Sequence, residues 1–281
     1  MSVNLFWNNI CLISKLEESY LHQKCSQAPE NIETTFFGLG RQENMLDHVK
    51  KTNHLNCDII VSTDTDIFHD LNHRHLFEGF LPLKKFISIP LILVINQKAL
   101  GTLSPPTSFK DLFKKEYAQK YVFGGPHNSA GKSLLKSIWY HYGFKNACAF
   151  VENAKIENMP AAAFQKAMKG DIPIAIVPTI FSLRMGLNTL TAVWPKDGAI
   201  PIHSYIAIRS TLKKSVSEYF INEVLGADFQ EYLVQNAAIL PHHPSVKPPF
   251  QFNETEFALM EPSWDFLINL DHQKLYALLS N

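Results

Sequence analysis

The chain has 281 residues, 46% hydrophobic and 19% charged, with 26 Lys+Arg balanced by 26 Asp+Glu. Such a chain can bury a substantial core, as one large or two medium lobes. The even charge gives no basic face for nucleic acid, and no apolar run nears the roughly 20 residues of a membrane-spanning helix.

The start, MSVNLFWNNICLISKLEE, lacks the basic start, apolar block and cleavage site of a secretory signal. The expectation is a cytoplasmic protein if Met1 is the native start, or a periplasmic or extracellular one if this is a truncated mature form. Cys11, Cys25, Cys57 and Cys148 form no CxxC pair and no zinc spacing, so free thiols are expected.

In chain order, Val3–Trp7 is an apolar strand ending in Asn8-Asn9, and helical spacing follows over Ile10–Lys24. Ile32–Phe37 is β-rich; Gly38 and Gly40 break it before a helix at Gln42–Lys51. Asp58–Ser62 is a short buried strand ending at Thr63-Asp64. Ile87–Asn96 is the longest strand signal, and Pro90 inside it argues for an edge or a bend. A helix over Ser108–Glu116 follows, then a strand at Tyr121–Phe123 and a helix from Ala130 to Tyr142. Ala149–Val151 reads as a strand, Met159–Met168 as a helix and Pro173–Val177 as a strand. Leu190–Trp194 and His203–Ile208 are strands around a turn. Ser215–Gln235 and Glu254–Asn281 read as mainly helical.

The most informative stretch is YVFGGPHNSAGKSLLK, Tyr121–Lys136. A strand, a glycine turn and a helix start with Asn128 or Ser129 as cap aim free backbone N–H groups and the positive helix end at one point. That point suits an anion or an oxygen-rich ligand. Gly131-Lys132-Ser133 imitates a nucleotide P-loop, but Pro126 stands where its first glycine belongs and offers no N–H. A helix cap without any ligand stays open as the plainer alternative.

Regular alternation of strands and helices implies an α/β fold of mostly parallel sheets flanked by helices, with ligands at the carboxyl ends of strands. A second series of βα units after Ile87–Asn96 suggests two lobes facing a ligand cleft. The expected division is 1–90 plus 209–281 for the first lobe and 91–208 for the second, with hinge crossings near 90–97 and 203–209.

Short motifs in order then resemble the type II solute-binding proteins of ABC transporters, the periplasmic-binding-protein fold, in their ferric-iron and molybdate-like branches. They are CDIIVSTD (Cys57–Asp64), Pro90–Gln97 with TSFKDL (Thr107–Leu112), Phe123–Leu134, MKGDIPIAIVP (Met168–Pro178), Trp194–Ala207 and Phe220–Leu240 followed by Pro241. The resemblance implies a protein that captures a small polar ligand, an oxyanion or a metal ion with its anion, by closure of two lobes. It implies ligand contacts from Trp7, Asn8 and Asn9, from Gly38 and Arg41, and from Ser62, Thr63 and Asp64. From the other lobe it implies His127, Asn128, Ser129 and Ala130, with Pro178, Thr179 and His203-Ser204-Tyr205 from later loops. No Tyr-Tyr pair exists; the corresponding Ile180-Phe181 offers no oxygen, so tyrosinate ligation of iron is not expected. The implied partners are the small ligand or ion and an ABC-transporter permease; a monomer without cofactor, nucleic acid or membrane insertion is expected.

Histidine and carboxylate placement leaves further readings open. His69, His73 and His75 form H-x3-H-x-H, with Asp66 and Asp70 nearby, on a segment that reads as a solvated helix or loop. His242-His243 reads as an exposed loop. His127, His203 and Asp64 are the metal-ligand candidates on expected cleft loops. Arg41 fits either an oxyanion clamp or an ion pair with Glu43 or Asp47, and Lys132 lies beyond the cap, pointing away from the ligand. The competing function is an enzyme acting on a small heterocyclic or carboxylated substrate on the same two-lobed fold. Against it, the sequence has no nucleophile elbow and no specific metal motif.

Overall fold

The computed structural model describes residues 2–10, 12–38, 41, 43–125, 128–186, 189–249 and 257–279. In chain order it begins β1 (Val3–Asn8), α1 (Ser14–Cys25), β2 (Ile32–Phe37), α2 (Met45–Lys51), β3 (Ile59–Ser62), α3 (Thr65–His73), β4 (Lys84–Asn96) and α4 (Gln97–Leu100). It continues through β5 (Tyr121–Gly124), α5 (Ser129–Tyr142), α6 (Phe144–Glu152), β6 (Lys155–Glu157), α7 (Pro160–Lys169), β7 (Ile174–Pro178) and β8 (Leu190–Val193). It ends with β9 (Ile200–Ile208), α8 (Lys214–Tyr219), α9 (Ala227–Ala237), β10 (Leu240–Pro241), α10 (Trp264–Ile268) and α11 (His272–Leu279). The chain forms two compact units: Met1–Ser88 with His203–Pro248, and Ile89–Ile202 with Pro249–Asn281.

In the first unit β1 lies between β2 and β3, parallel to both, with Val3 opposite Ile32 and Leu5 opposite Ile59. β9 adds antiparallel to β3, from Ile208 opposite Ile59 to Tyr205 opposite Ser62. One core is built from Phe6, Phe37, Val49, Ile60, Ile67, Phe68 and Leu71. The last three belong to α3, so the His69–His73 segment is a helix with a buried face rather than a solvated one. Its spacing at Ile67, Phe68 and Leu71 is the i, i+1, i+4 stripe of a helix that packs on a sheet.

In the second unit β5 runs parallel between β6 and β7, with Phe123 opposite both Ile156 and Ile176. β7 and β8 both pair antiparallel with β4. β4 is therefore an interior strand, not the edge that Pro90 suggested. β10 pairs with β4 up to Ser88 and β7 takes over at Leu91, so Pro90 falls between two ladders and its missing N–H costs little.

Three further expectations change. Ala149–Val151 is part of α6, because Ala147, Phe150 and Val151 bury one helical face. Ser108–Glu116 forms two 3-10 turns, Lys110–Phe113 and Lys115–Tyr117. The N–H groups of Phe109 and Lys110 bond the Asp197 carboxylate, which fixes the tighter geometry. Residues 257–279 pack with the second unit rather than the first. Leu259 bridges Ala199, and the Trp194 indole donates to Ala258 O at 3.0 Å. The cysteines Cys25, Cys57 and Cys148 are free thiols, whereas Cys11 lies outside the described residues.

Candidate functional site

The carboxyl ends of β1, β2 and β3 bring most of the expected residues of the first unit together. Asn8 Nδ2 donates to Ser62 Oγ at 3.3 Å, and Ser62 Oγ accepts the Asp64 N–H at 3.0 Å. Asp64 in turn caps α3, accepting the Asp66 N–H at 3.0 Å. Thr63 lies buried between them. A Cβ at Gly38 would meet that of Asn9 at 3.3 Å, so the loops after β1 and β2 run in contact.

Two glutamates of α1, which the sequence reading passed over, hold these loops. Glu18 Oε1 accepts Asn9 Nδ2 at 2.6 Å and also bonds the Arg41 guanidinium. Arg41 chiefly, with Asn9, holds the Glu18 carboxyl below its ordinary value. Arg41 is thus paired with Glu18, not with Glu43 or Asp47. Glu17 is fully buried, and its Oε2 accepts the Ile10 N–H at 2.6 Å. Burial pushes its carboxyl well above the ordinary value, against the opposing Ile10 N–H and Trp7 indole. The indole lies near the carboxyl, yet Trp7 Nε1 and Glu17 Oε1 each lack a hydrogen bond of good geometry. Trp7 itself is 1% exposed and packs 6.0 Å from Phe86 and Phe229, so it serves the core of this unit rather than a ligand loop. The Ser14-x-x-Glu17 spacing imitates a capping box in the sequence, but Ile13 is the N-cap of α1 and Glu17 reaches back to the Ile10 N–H instead.

The second unit contributes the β5–α5 and β7 ends. β5 and β7 are parallel neighbours, so the segments leaving their carboxyl ends start side by side. Asn128 is the cap of α5, and its Oδ1 accepts the N–H groups of Ala130 at 2.9 Å and Gly131 at 3.2 Å. Two of the amides expected to be free are therefore occupied by the protein's own cap. A Cβ at Gly131 would lie 2.0 Å from Gly125 O, which is why the turn and the helix can approach so closely. Ser129 opens the helix, and Lys132 is buried within it. Thr179, next to Pro178, is fully buried, and its Oγ1 lacks a hydrogen-bond partner among the described residues. His127 lies outside the described residues.

The later histidines cluster differently from the expectation. His203 and Tyr205 sit inward on β9 with ring centroids 5.7 Å apart, and Ser204 between them is also buried. His203 Nδ1 lies 2.7 Å from Ser88 Oγ, and His242 Nε2 lies 2.7 Å from the same oxygen. His242 is exposed but anchored, since Gln230 accepts its backbone N–H at 2.8 Å. His69 and His73 stack at 6.3 Å. Among the described residues no group of three His, Cys, Asp or Glu side chains is placed to hold a metal ion.

Solved structures share this fold over essentially the whole chain. The apo ferric ion-binding protein A of Pasteurella haemolytica superposes with a TM-score of 0.73 at 14% identity, covering 99% of this chain and 96% of that one. A ferric binding protein from Campylobacter jejuni gives 0.71 at 15% identity, covering 99% and 96%. The Trichodesmium protein solved with iron and citrate ligands gives 0.72 at 12% identity, covering 100% and 98%. The fold is thus the α/β periplasmic-binding-protein type. A search of curated protein sequences returns no significant match. The family model for bacterial extracellular solute-binding proteins matches residues 85–270, more than half of the chain. The chain belongs to that family of bacterial solute-binding proteins.

Proposed function

We propose that the protein captures a small oxyanion, or a metal ion together with its anion, and delivers it to an ABC-transporter permease. The observation that carries this reading is the pair of parallel neighbours β5 and β7 in the second unit, one leading on to α5 and the other to Thr179. A helix of 14 residues presents its positive end there, with Ser129 at its first position and a buried, unpartnered hydroxyl on the neighbouring strand end. The first unit supplies neutral and acidic oxygens instead: Asn8, Ser62 and Asp64 at the strand ends, with Arg41 paired to Glu18. Such oxygens suit a cation, and the helix end suits an anion. Structural neighbours that bind ferric ion, or were solved with iron and citrate, agree with it, whereas Ile180 and Phe181 supply no tyrosinate, so iron would come with its own anion. No observation favours the enzyme reading: Ser88, beside His203, is fully buried, and Ser245 contacts His243 within the same short exposed turn. The family description places such proteins outside the cell, and no helix among the described residues is long and apolar enough to cross a membrane.

A thermal-shift screen with molybdate, tungstate, phosphate, sulfate, zinc and ferric citrate tests this. Saturable stabilisation that grows with ligand concentration and proceeds without turnover is the expected result, since a ligand that binds the folded state raises stability by mass action. Consumption of a stabilising compound would make the protein an enzyme instead.

A further inference from the structure

Three anchors within the first unit fix the residue that follows β1. The Asn9 backbone N–H donates to Phe37 O at 2.9 Å, and the next N–H, of Ile10, donates to Glu17 Oε2 at 2.6 Å. The Asn9 side chain donates from Nδ2 to Glu18 Oε1 at 2.6 Å. Asn9 Oδ1 is the atom left over. Solvent does not reach it, and it has no hydrogen-bond donor among the described residues.

Charge decides which way that amide faces. The Arg41 guanidinium bonds Glu18 and is the chief cause that holds its carboxyl below the ordinary value, so Glu18 is a carboxylate at neutral pH. A carboxylate only accepts hydrogen bonds, whereas an amide has donors on its nitrogen and an acceptor on its oxygen. Asn9 must therefore turn its NH2 to Glu18, because the opposite orientation sets two acceptors face to face. With the backbone held on both sides, the carbonyl oxygen becomes the group that calls for a donor or a cation. An acceptor kept from water without a partner is costly, so a solute that supplies one is favoured over a solute that does not.

We propose that Glu18 is a specificity-determining positioning residue: it fixes Asn9 so that the first unit offers the solute a carbonyl oxygen, and so selects a solute that brings a proton donor or a cation over a fully ionised oxyanion. The proposal names a solute class for the binding function proposed above and rests on it, Asn9 being one of the contacts that the motif resemblance implies. Hydrogen phosphate still carries a proton at neutral pH and donates it. Ferric citrate brings a cation. Sulfate brings neither, and its negative oxygens meet an acceptor.

The test compares wild type, Glu18→Gln, Asn9→Ala and the double variant, as full chains, by calorimetric titration with phosphate, ferric citrate and sulfate at pH 7.5. NMR exchange of the Asn9 side-chain NH2 is followed in the ligand-free wild type and in Glu18→Gln. Glutamine at this position accepts or donates, so that variant leaves Asn9 free to face either way. In the wild type the tighter of phosphate and ferric citrate is expected to bind about ten-fold or more tightly than sulfate. That ratio is expected to fall toward one in Glu18→Gln and in Asn9→Ala, and no further in the double variant, as for two residues acting through one contact. The Asn9 NH2 protons are expected to exchange slowly in the wild type and at least about ten-fold faster in Glu18→Gln. Release of Arg41 alone would strengthen every anion together, so a common rise in affinity with an intact ratio would overturn the proposal. Equal NH2 exchange in the two proteins would overturn it too, since Glu18 would not be holding the amide. Sulfate bound by the wild type as tightly as the other two would overturn the selection and leave the binding function standing. Saturable binding of none of the three by the wild type would overturn both.

Discussion

Glu17 puts a carboxyl group where water does not reach, held by a backbone N–H of the loop that carries Asn8 and Asn9. Its raised value means the folded chain keeps a proton that the unfolded chain gives up near the ordinary carboxylate range. Between those two values the native state binds more protons, so this residue's contribution to stability is full in acid and is lost as pH rises through the folded value. Glu17→Gln mimics the protonated form. Urea midpoints measured from pH 4 to 8 are expected to fall less steeply with rising pH in this variant; an unaltered slope would show that Glu17 is ionised in the fold. Residue-scale partners were the least legible part of the sequence. Arg41 could be placed at a loop after β2, but its choice of Glu18 over Glu43 depends on how α1 lies against β1 and β2, which no local pattern encodes. Trp7 failed for the opposite reason: its strand position was right, and burial on both faces of β1 took its side chain into the core.

Elements with strong local punctuation were readable. The turn at Gly124-Gly125 and the run to Tyr142 follow from glycine chemistry and capping, which left Asn128 or Ser129 as the cap; the structure settles it on Asn128. Elements settled by packing were not. Ala149–Val151 is apolar enough for a strand, and its place in α6 shows only once Ala147 is seen to share the buried face. At Gly124 the close packing of β5 on the start of α7 makes a sharp prediction. A Cβ there would lie 2.1 Å from both Met159 C and Pro160 N, backbone atoms that cannot rotate away. Gly124→Ala is expected to lower the unfolding free energy by about 1–3 kcal/mol, the usual cost of overpacking. Chemical denaturation would register this, and a stability equal to wild type would mean that α7 does not sit on β5 as described.

At the scale of the whole molecule, βα alternation and the order of six weak motifs were enough to expect a solute-binding fold. That expectation agrees with the family match and with structural neighbours at TM-scores of 0.71 to 0.73. The sequence carried less about the path of the last segment, because residues 257–279 join the second unit through contacts distant in sequence, Leu259 with Ala199 and Phe266 with Trp139 and Tyr140. The ligand is where the physical account is most exposed, and one substitution separates site from scaffold. Ser129→Asp puts a carboxylate at the first position of α5, where the helix dipole favours it and the fold is retained. The same charge repels an anion seated at that helix end. Calorimetric titration of wild type and Ser129→Asp with the oxyanion or ferric citrate that gives the largest thermal shift is the most direct measurement. Saturable one-to-one binding by the wild type, lost in the variant at unchanged melting temperature, is the predicted result; equal affinity in the two proteins would contradict it.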